Sequence, residues 1–126
     1  MSITFTEFID SAKLLLKNGK NEIDYRNATS RAYYSAYHES KRISQYSNGI
    51  NISNCGAHER LIQKLQRHLG ANPTDDDIRQ IGILLNMCKK QRTNADYFLN
   101  TKYNKSDTQQ TILLVEQILS LSNQFP

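Results

Sequence analysis

Residues 24–42 read DYRNATSRAYYSAYHESKR, and the architecture of the chain turns on this stretch. Ala28, Ala32, Ala36 and Ser40 recur every four residues, which puts small side chains along one side of a helix. A neighbouring helix can approach such a stripe closely. Arg31, Tyr34, Ser35, His38 and Arg42 fall on another face, at i, i+3, i+4, i+7 and i+11. Asn21 is a good N-cap, and Glu22 and Asp24 follow it in the first turn, where carboxylates favour the helix dipole. The helix is expected to continue to about Tyr46.

On the N-terminal side, residues 4–18 form a second amphipathic pattern. Phe5, Phe8, Ile9, Ala12, Leu15 and Leu16 share a face, Thr4 and Glu7 fit a capping box, and Asn18-Gly19 supplies the stop. Residues 47–56, SNGINISNCG, have the composition of a loop. The tripeptides at 27–29 and 51–53 match the glycosylation sequon, which without a secretory signal is read as chance. Residues 57–69 predict a short helix with His58, Leu61, Ile62, Leu65 and Leu69 on one face and Gly70 beyond it. Thr74 is the expected cap of a fourth helix. Asp75, Asp76 and Asp77 fill its first turn; neighbours on a helix diverge, so capping is favoured over metal binding. Ile78, Ile81, Leu85 and Cys88 form an apolar seam that the same spacing extends to Arg92 and Ala95. An arginine on such a seam needs a partner, a cleft or an interface, because an unpaired buried charge is costly. Asp96, four residues on, is one candidate partner. After a linker at 99–105, Ser106 and Gln109 suggest another capping box. Residues 112–121, ILLVEQILSL, are apolar on more than one face, as in a central helix or one that meets a partner. The reading is a single domain over residues 1–126, all-α, a four- to five-helix up-and-down bundle.

Composition narrows the function classes. No apolar run approaches the roughly 20 residues of a membrane span. The start, MSITFTEFID, lacks a basic n-region and an apolar h-region, so a cytoplasmic protein is expected. Cys55 and Cys88 have no C-x-x-C spacing, and with His58 and His68 they make no zinc pattern; reduced thiols are expected, with no metal and no cofactor. The net charge of +4 permits nucleic-acid binding, but there is no dense Lys/Arg block to demand it.

The usual enzyme signatures are missing. There is no phosphate-cradling Gly-rich loop before Lys-Ser/Thr, no G-x-S-x-G and no H-E-x-x-H. Arginine with histidine, tyrosine and asparagine remains, a set suited to phosphodiester chemistry without a metal. A guanidinium stabilises the extra negative charge on phosphorus, and an imidazole with a near-neutral pKa moves the proton of a 2′-hydroxyl or leaving group. That chemistry cleaves RNA and leaves DNA intact.

The segment Arg26-Asn27-Ala28-Thr29-Ser30-Arg31-Ala32-Tyr33-Tyr34-Ser35-Ala36-Tyr37-His38, followed by Arg92-Thr93-Asn94-Ala95-Asp96-Tyr97, resembles the HEPN superfamily. It is similar in particular to small stand-alone HEPN proteins with an S-R-A-Y-Y segment and a later R-x-x-x-A-D-Y segment. The resemblance spans nearly the whole chain and implies a HEPN-like helical bundle that dimerises. It also implies an RNA-directed effector or accessory of a defence or toxin–antitoxin system, with an antitoxin, a nucleotidyltransferase or another defence protein as partner. Active members are metal-independent endoribonucleases with Arg, four to six residues, then His; others are non-catalytic modules that bind a protein or a nucleotide. Here Arg92 matches the arginine, but Tyr97 stands where the histidine belongs, and no histidine follows His68. Arg31 and His38 repeat the spacing on the earlier helix. The expected reactive set is therefore Arg92, Arg31 and His38, with Asn94, Tyr97 and Tyr34 binding substrate. Each has a structural alternative: Arg31 and His38 as partners of acidic groups on neighbouring helices, the tyrosines as packing residues, Arg92 in an ion pair with Asp96, His58 as a structural or capping residue, and His68 as a helix-dipole partner.

Overall fold

The computed structural model describes residues 5–50 and 54–126, and among them the chain is all helical. The helices are α1 (Phe5–Asn18), α2 (Glu22–Ile43), α3 (Ala57–Gln66), α4 (Pro73–Tyr97) and α5 (Lys105–Ser122), with a 3₁₀ turn, Ser44–Tyr46, closing α2. The capping box at Thr4, the side chain of Phe5 and the sequon at 51–53 lie outside the described residues.

α2 is the central helix, packing on α1, α4 and α5. Its small stripe serves that position: Ala28, Ala32, Ala36 and Ser40 are all fully buried. Asn21 caps it as expected, its side chain accepting the Asp24 N–H at 3.2 Å. Pairings along the helices fix the directions. His38 lies against Phe8 and Arg31 against Ser11, so α1 and α2 are antiparallel. Arg26, early in α2, reaches the end of α4, while Arg42, late in α2, reaches the end of α5. α1, α2, α4 and α5 thus alternate up and down. The segment after α2 doubles back, so α3 runs parallel to α2 and antiparallel to α4, with Glu59 beside Lys89 and Gln66 beside Gly82. Buried Leu61, Ile62 and Leu65 carry the α3 contact, joined in one core by Tyr33, Ile43, Ile81, Leu85, Val115 and Ile118. Gly82 makes the close approach feasible: a Cβ there would lie 2.8 Å from Leu65 Cβ and 2.9 Å from the Gln66 backbone nitrogen.

Three boundaries differ from the sequence expectation. α3 stops at Gln66 because Asn48 takes both backbone groups of Leu69, accepting its N–H at 2.7 Å and donating to its carbonyl at 3.1 Å. Leu69, assigned to an apolar face, is consequently exposed. α4 is capped by Asn72, not Thr74: Asn72 and Asp75 form a reciprocal capping box, and Pro73 occupies the first turn, where its missing N–H costs nothing. α5 is capped by Asn104 with Asp107, two residues before the expected Ser106–Gln109 pair.

The aspartate run disperses to separate partners. Asp75 accepts from His68 Nε2 at 2.6 Å, Asp76 pairs with Arg79, and Asp77 accepts from Gln124 at 2.7 Å. His68 Nδ1 accepts the Asn48 N–H at 3.1 Å, so its ring clamps the returning segment to the start of α4. The hydrogen bond from His68 is the main reason the Asp75 carboxyl stays below its ordinary pKa.

Two arginines close helix ends. Arg26, only 5% exposed, donates to the carbonyls of Asn94 (3.0 Å), Ala95 (2.9 Å), Phe98 (3.2 Å) and Thr101 (2.6 Å). Those carbonyls lie at the C-terminus of α4 and in the linker beyond, where a cation also meets the negative end of the helix dipole; Asn94 and Phe98 accept a backbone N–H as well, from Phe98 and Thr101. Arg42 does the same for α5 through the carbonyls of Ser122 and Phe125, and pairs with the fully buried Glu39 at 2.5 Å. The arginine closure of α4 holds the helix turn that carries Arg92.

Candidate functional site

Arg92 follows the apolar seam of α4 to its last turns, as the spacing predicts. Its side chain is 18% exposed, and its guanidinium carbon lies 5.7, 5.8 and 5.6 Å from the ring centres of Tyr33, Tyr34 and Tyr97. The cation thus sits in an aromatic cage built by two helices. Nε is 2.9 Å from Asp96 Oδ2, an ion pair without hydrogen-bond alignment, and the Tyr34 hydroxyl is 3.4 Å from a terminal nitrogen. Burial works against the charge, but Tyr34, Asp96, Tyr97 and Tyr33 together outweigh it and hold the guanidinium pKa above its ordinary value. Ser30 on α2 reaches Asp96 at 3.4 Å and completes that side.

The histidine at this centre is His58, in the first turn of α3. Its Nδ1 lies 2.5 Å from the Tyr33 hydroxyl, and its ring stacks on Tyr37 at 4.4 Å and on Tyr33 at 5.6 Å. Tyr33 therefore touches both the imidazole and the cation. Burial, then the positive charges of Arg92 and Lys89, lower the His58 pKa below its ordinary value, so the ring is neutral at pH 7. Burial drives the Tyr33 phenol strongly upward, which keeps it protonated. With Nδ1 tied to Tyr33, Nε2 is the nitrogen left for other chemistry. Lys89 is held nearby by Glu59 at 3.1 Å. Cys88, one residue from Lys89 in sequence, is buried and its thiol is pushed up to about 12, so it is no nucleophile at neutral pH.

The other expected residues separate. Tyr34 and Tyr97 join Arg92. His38 is exposed and lies against α1, its ring 5.4 Å from Phe8; it approaches the centre through Tyr37, 5.6 Å between rings, and Tyr34, 6.4 Å between rings. Arg31 is exposed and donates to Ser11 Oγ at 2.9 Å. Arg42 turns to the end of α5. Positions 92 and 94 are about 200° apart around a helix. Asn94 accordingly lines a groove against α5 with Met87, Gln91 and Leu113, while its carbonyl binds Arg26. The earlier helix thus contributes its tyrosines, not its Arg31–His38 pair, to the Arg92 centre. His58, read from the sequence as a structural or capping residue near a helix start, is brought to this centre only by the return of the chain after α2.

Among the described residues no group of three His, Cys, Asp or Glu side chains could hold a metal ion, and no helix is long and apolar enough to cross a membrane. Comparison with family models, curated proteins and solved structures finds no match to this chain. The class that fold and site define is an all-α bundle with an arginine-centred aromatic cluster.

Proposed function

We propose that the chain is a HEPN-like, RNA-directed effector or accessory of a defence or toxin–antitoxin system, acting as a metal-independent endoribonuclease. The observation that carries this reading is the caged Arg92 beside a neutral histidine, His58, joined to it through Tyr33. In the reaction, Arg92 binds a non-bridging phosphate oxygen and stabilises the charge that grows on phosphorus. With its own proton on Nδ1 facing Tyr33, His58 uses the Nε2 lone pair to take the proton of the 2′-hydroxyl. The 2′-oxygen bonds to phosphorus, the P–O5′ bond breaks, and the 5′-oxygen takes a proton from the imidazolium. The products are a 2′,3′-cyclic phosphate and a 5′-hydroxyl. Tyr34 and Tyr97 hold the guanidinium and offer hydroxyls to substrate, and His38 at the rim is the alternative proton-transfer group. The exposed Tyr97, Phe98 and Leu99 beside the centre support a homodimer in which a second copy covers this side of the Arg92 cluster.

The Asp96 ion pair favours a second reading. A guanidinium already neutralised by a carboxylate suits a non-catalytic HEPN-like module that binds a protein partner or a nucleotide. Purified protein incubated with mixed RNA in EDTA separates the two. Cleavage to 2′,3′-cyclic ends, absent on DNA and lost in Arg92→Ala, supports the enzyme. Intact RNA at high protein concentration, with a cellular phenotype unchanged in Arg92→Ala, refutes it.

A further inference from the structure

A groove of ≈ 280 Å³ opens between the C-terminal part of α2 and α3, lined by Tyr37, Lys41, Ser44, Arg60, Leu61 and Lys64 among others. Its lining carries three cations and no carboxylate. Lys41, Arg60 and Lys64 form no ion pair with any described carboxylate; the Arg60 guanidinium is steadied by the Cys55 carbonyl at 2.9 Å. Three unneutralised cations around one concavity repel one another, and an anion in the groove relieves that repulsion. The groove adjoins the Arg92 centre through one shared side chain, Tyr37. Tyr37 lines it and stacks on His58 at 4.4 Å, His58 bonds Tyr33, and Arg92 lies over the Tyr33 ring.

We propose that this groove is a phosphate track: it holds the backbone of a single-stranded RNA on one side of the bond presented to Arg92. The proposal rests on the RNA reading above and adds to it the path of the strand. The three cations contact successive phosphates and read no bases, so the track is indifferent to sequence.

The test uses a short fluorescent 2′-O-methyl RNA, which lacks the free 2′-hydroxyl and cannot be cleaved, so binding is read apart from chemistry. Anisotropy titrations over a salt series compare wild type, Lys41→Ala/Arg60→Ala/Lys64→Ala and Lys41→Arg/Lys64→Arg, with circular dichroism confirming the folds. The expected slope of log K against log salt falls by about 2 in the triple variant, at about 0.7 per lost phosphate contact, and is unchanged in the arginine variant. Single charge reversal, Lys64→Glu, weakens binding at low salt more than tenfold. A wild-type slope in the triple variant overturns the track and leaves the RNA reading standing. Wild-type protein that binds no RNA, whether or not it captures anionic vesicles, overturns both.

Discussion

Replacing Arg26 by methionine keeps most of the buried stem and deletes the guanidinium that closes α4. Four carbonyls lose the guanidinium, though those of Asn94 and Phe98 keep the N–H of Phe98 and Thr101, and a charge-assisted hydrogen bond contributes about 1.5–3 kcal/mol net. The full sum is not lost. Asn94, Phe98 and Thr101 are exposed residues whose carbonyls water can reach, whereas Ala95 is buried. Removing the guanidinium also removes the cost of keeping it 5% exposed. We expect a loss of about 3 kcal/mol, one buried acceptor plus part of the remaining three. For a domain of this size that is a fall in Tm of about 12 °C, at roughly 4 °C per kcal/mol. Urea unfolding followed by circular dichroism measures it, with an unchanged m-value showing that the compactness of both states is preserved. Hydrogen exchange should quicken first at residues 95–101, where the α4 end loses its closure. A stability loss below about 1 kcal/mol would refute the claim that Arg26 holds the end of α4 in place.

Three further outcomes follow from the same structure. Gly82→Ala should destabilise by about 1–3 kcal/mol in urea melts, because the Leu65–Gln66 clash exceeds the roughly 1 kcal/mol that alanine contributes in a helix. Arg42→Ala should cost about 3–5 kcal/mol, since it leaves the fully buried Glu39 carboxylate without its cation; adding Glu39→Leu should recover much of that loss. His58 should titrate below 6.5 by NMR, and Arg92→Gln should move it back upward. Folding favours its neutral form, so its contribution to stability is whole above about pH 6.5 and is lost as pH falls through the depressed pKa. Cleavage should show the same limb, with the rate rising as His58 deprotonates.

Periodicity carried the fold well where helices were long and amphipathic. The small stripe of α2 and the seam from Ile78 to Ala95 were legible because each is a one-face pattern that a single helix can satisfy. The boundaries that moved were decided by tertiary partners. Asn48 ends α3 from twenty-one residues away. Asn104 won its capping role over Ser106 through the aspartate three residues on; Asn72 won over Thr74, which also has an aspartate at that distance, because Pro73 then falls in the first turn, where it needs no donor. At the site, Arg92 was legible as a cation out of place on an apolar seam, and Asp96 as its i+4 partner. His58 was not, since nothing local joins a short third helix to the end of the fourth. Arg26 was equally silent, because its role lies in backbone carbonyls far along the chain, and backbone acceptors leave no mark in the side-chain pattern.

The most direct measurement is single-turnover cleavage of RNA in EDTA by His58→Ala, His38→Ala and Arg92→Ala at neutral pH. The account predicts that Arg92→Ala and His58→Ala each lose about 10²-fold or more, as expected for an oxyanion stabiliser and a proton-transfer group, while His38→Ala stays near wild type. Wild-type cleavage by His58→Ala, or loss confined to His38→Ala, would contradict it.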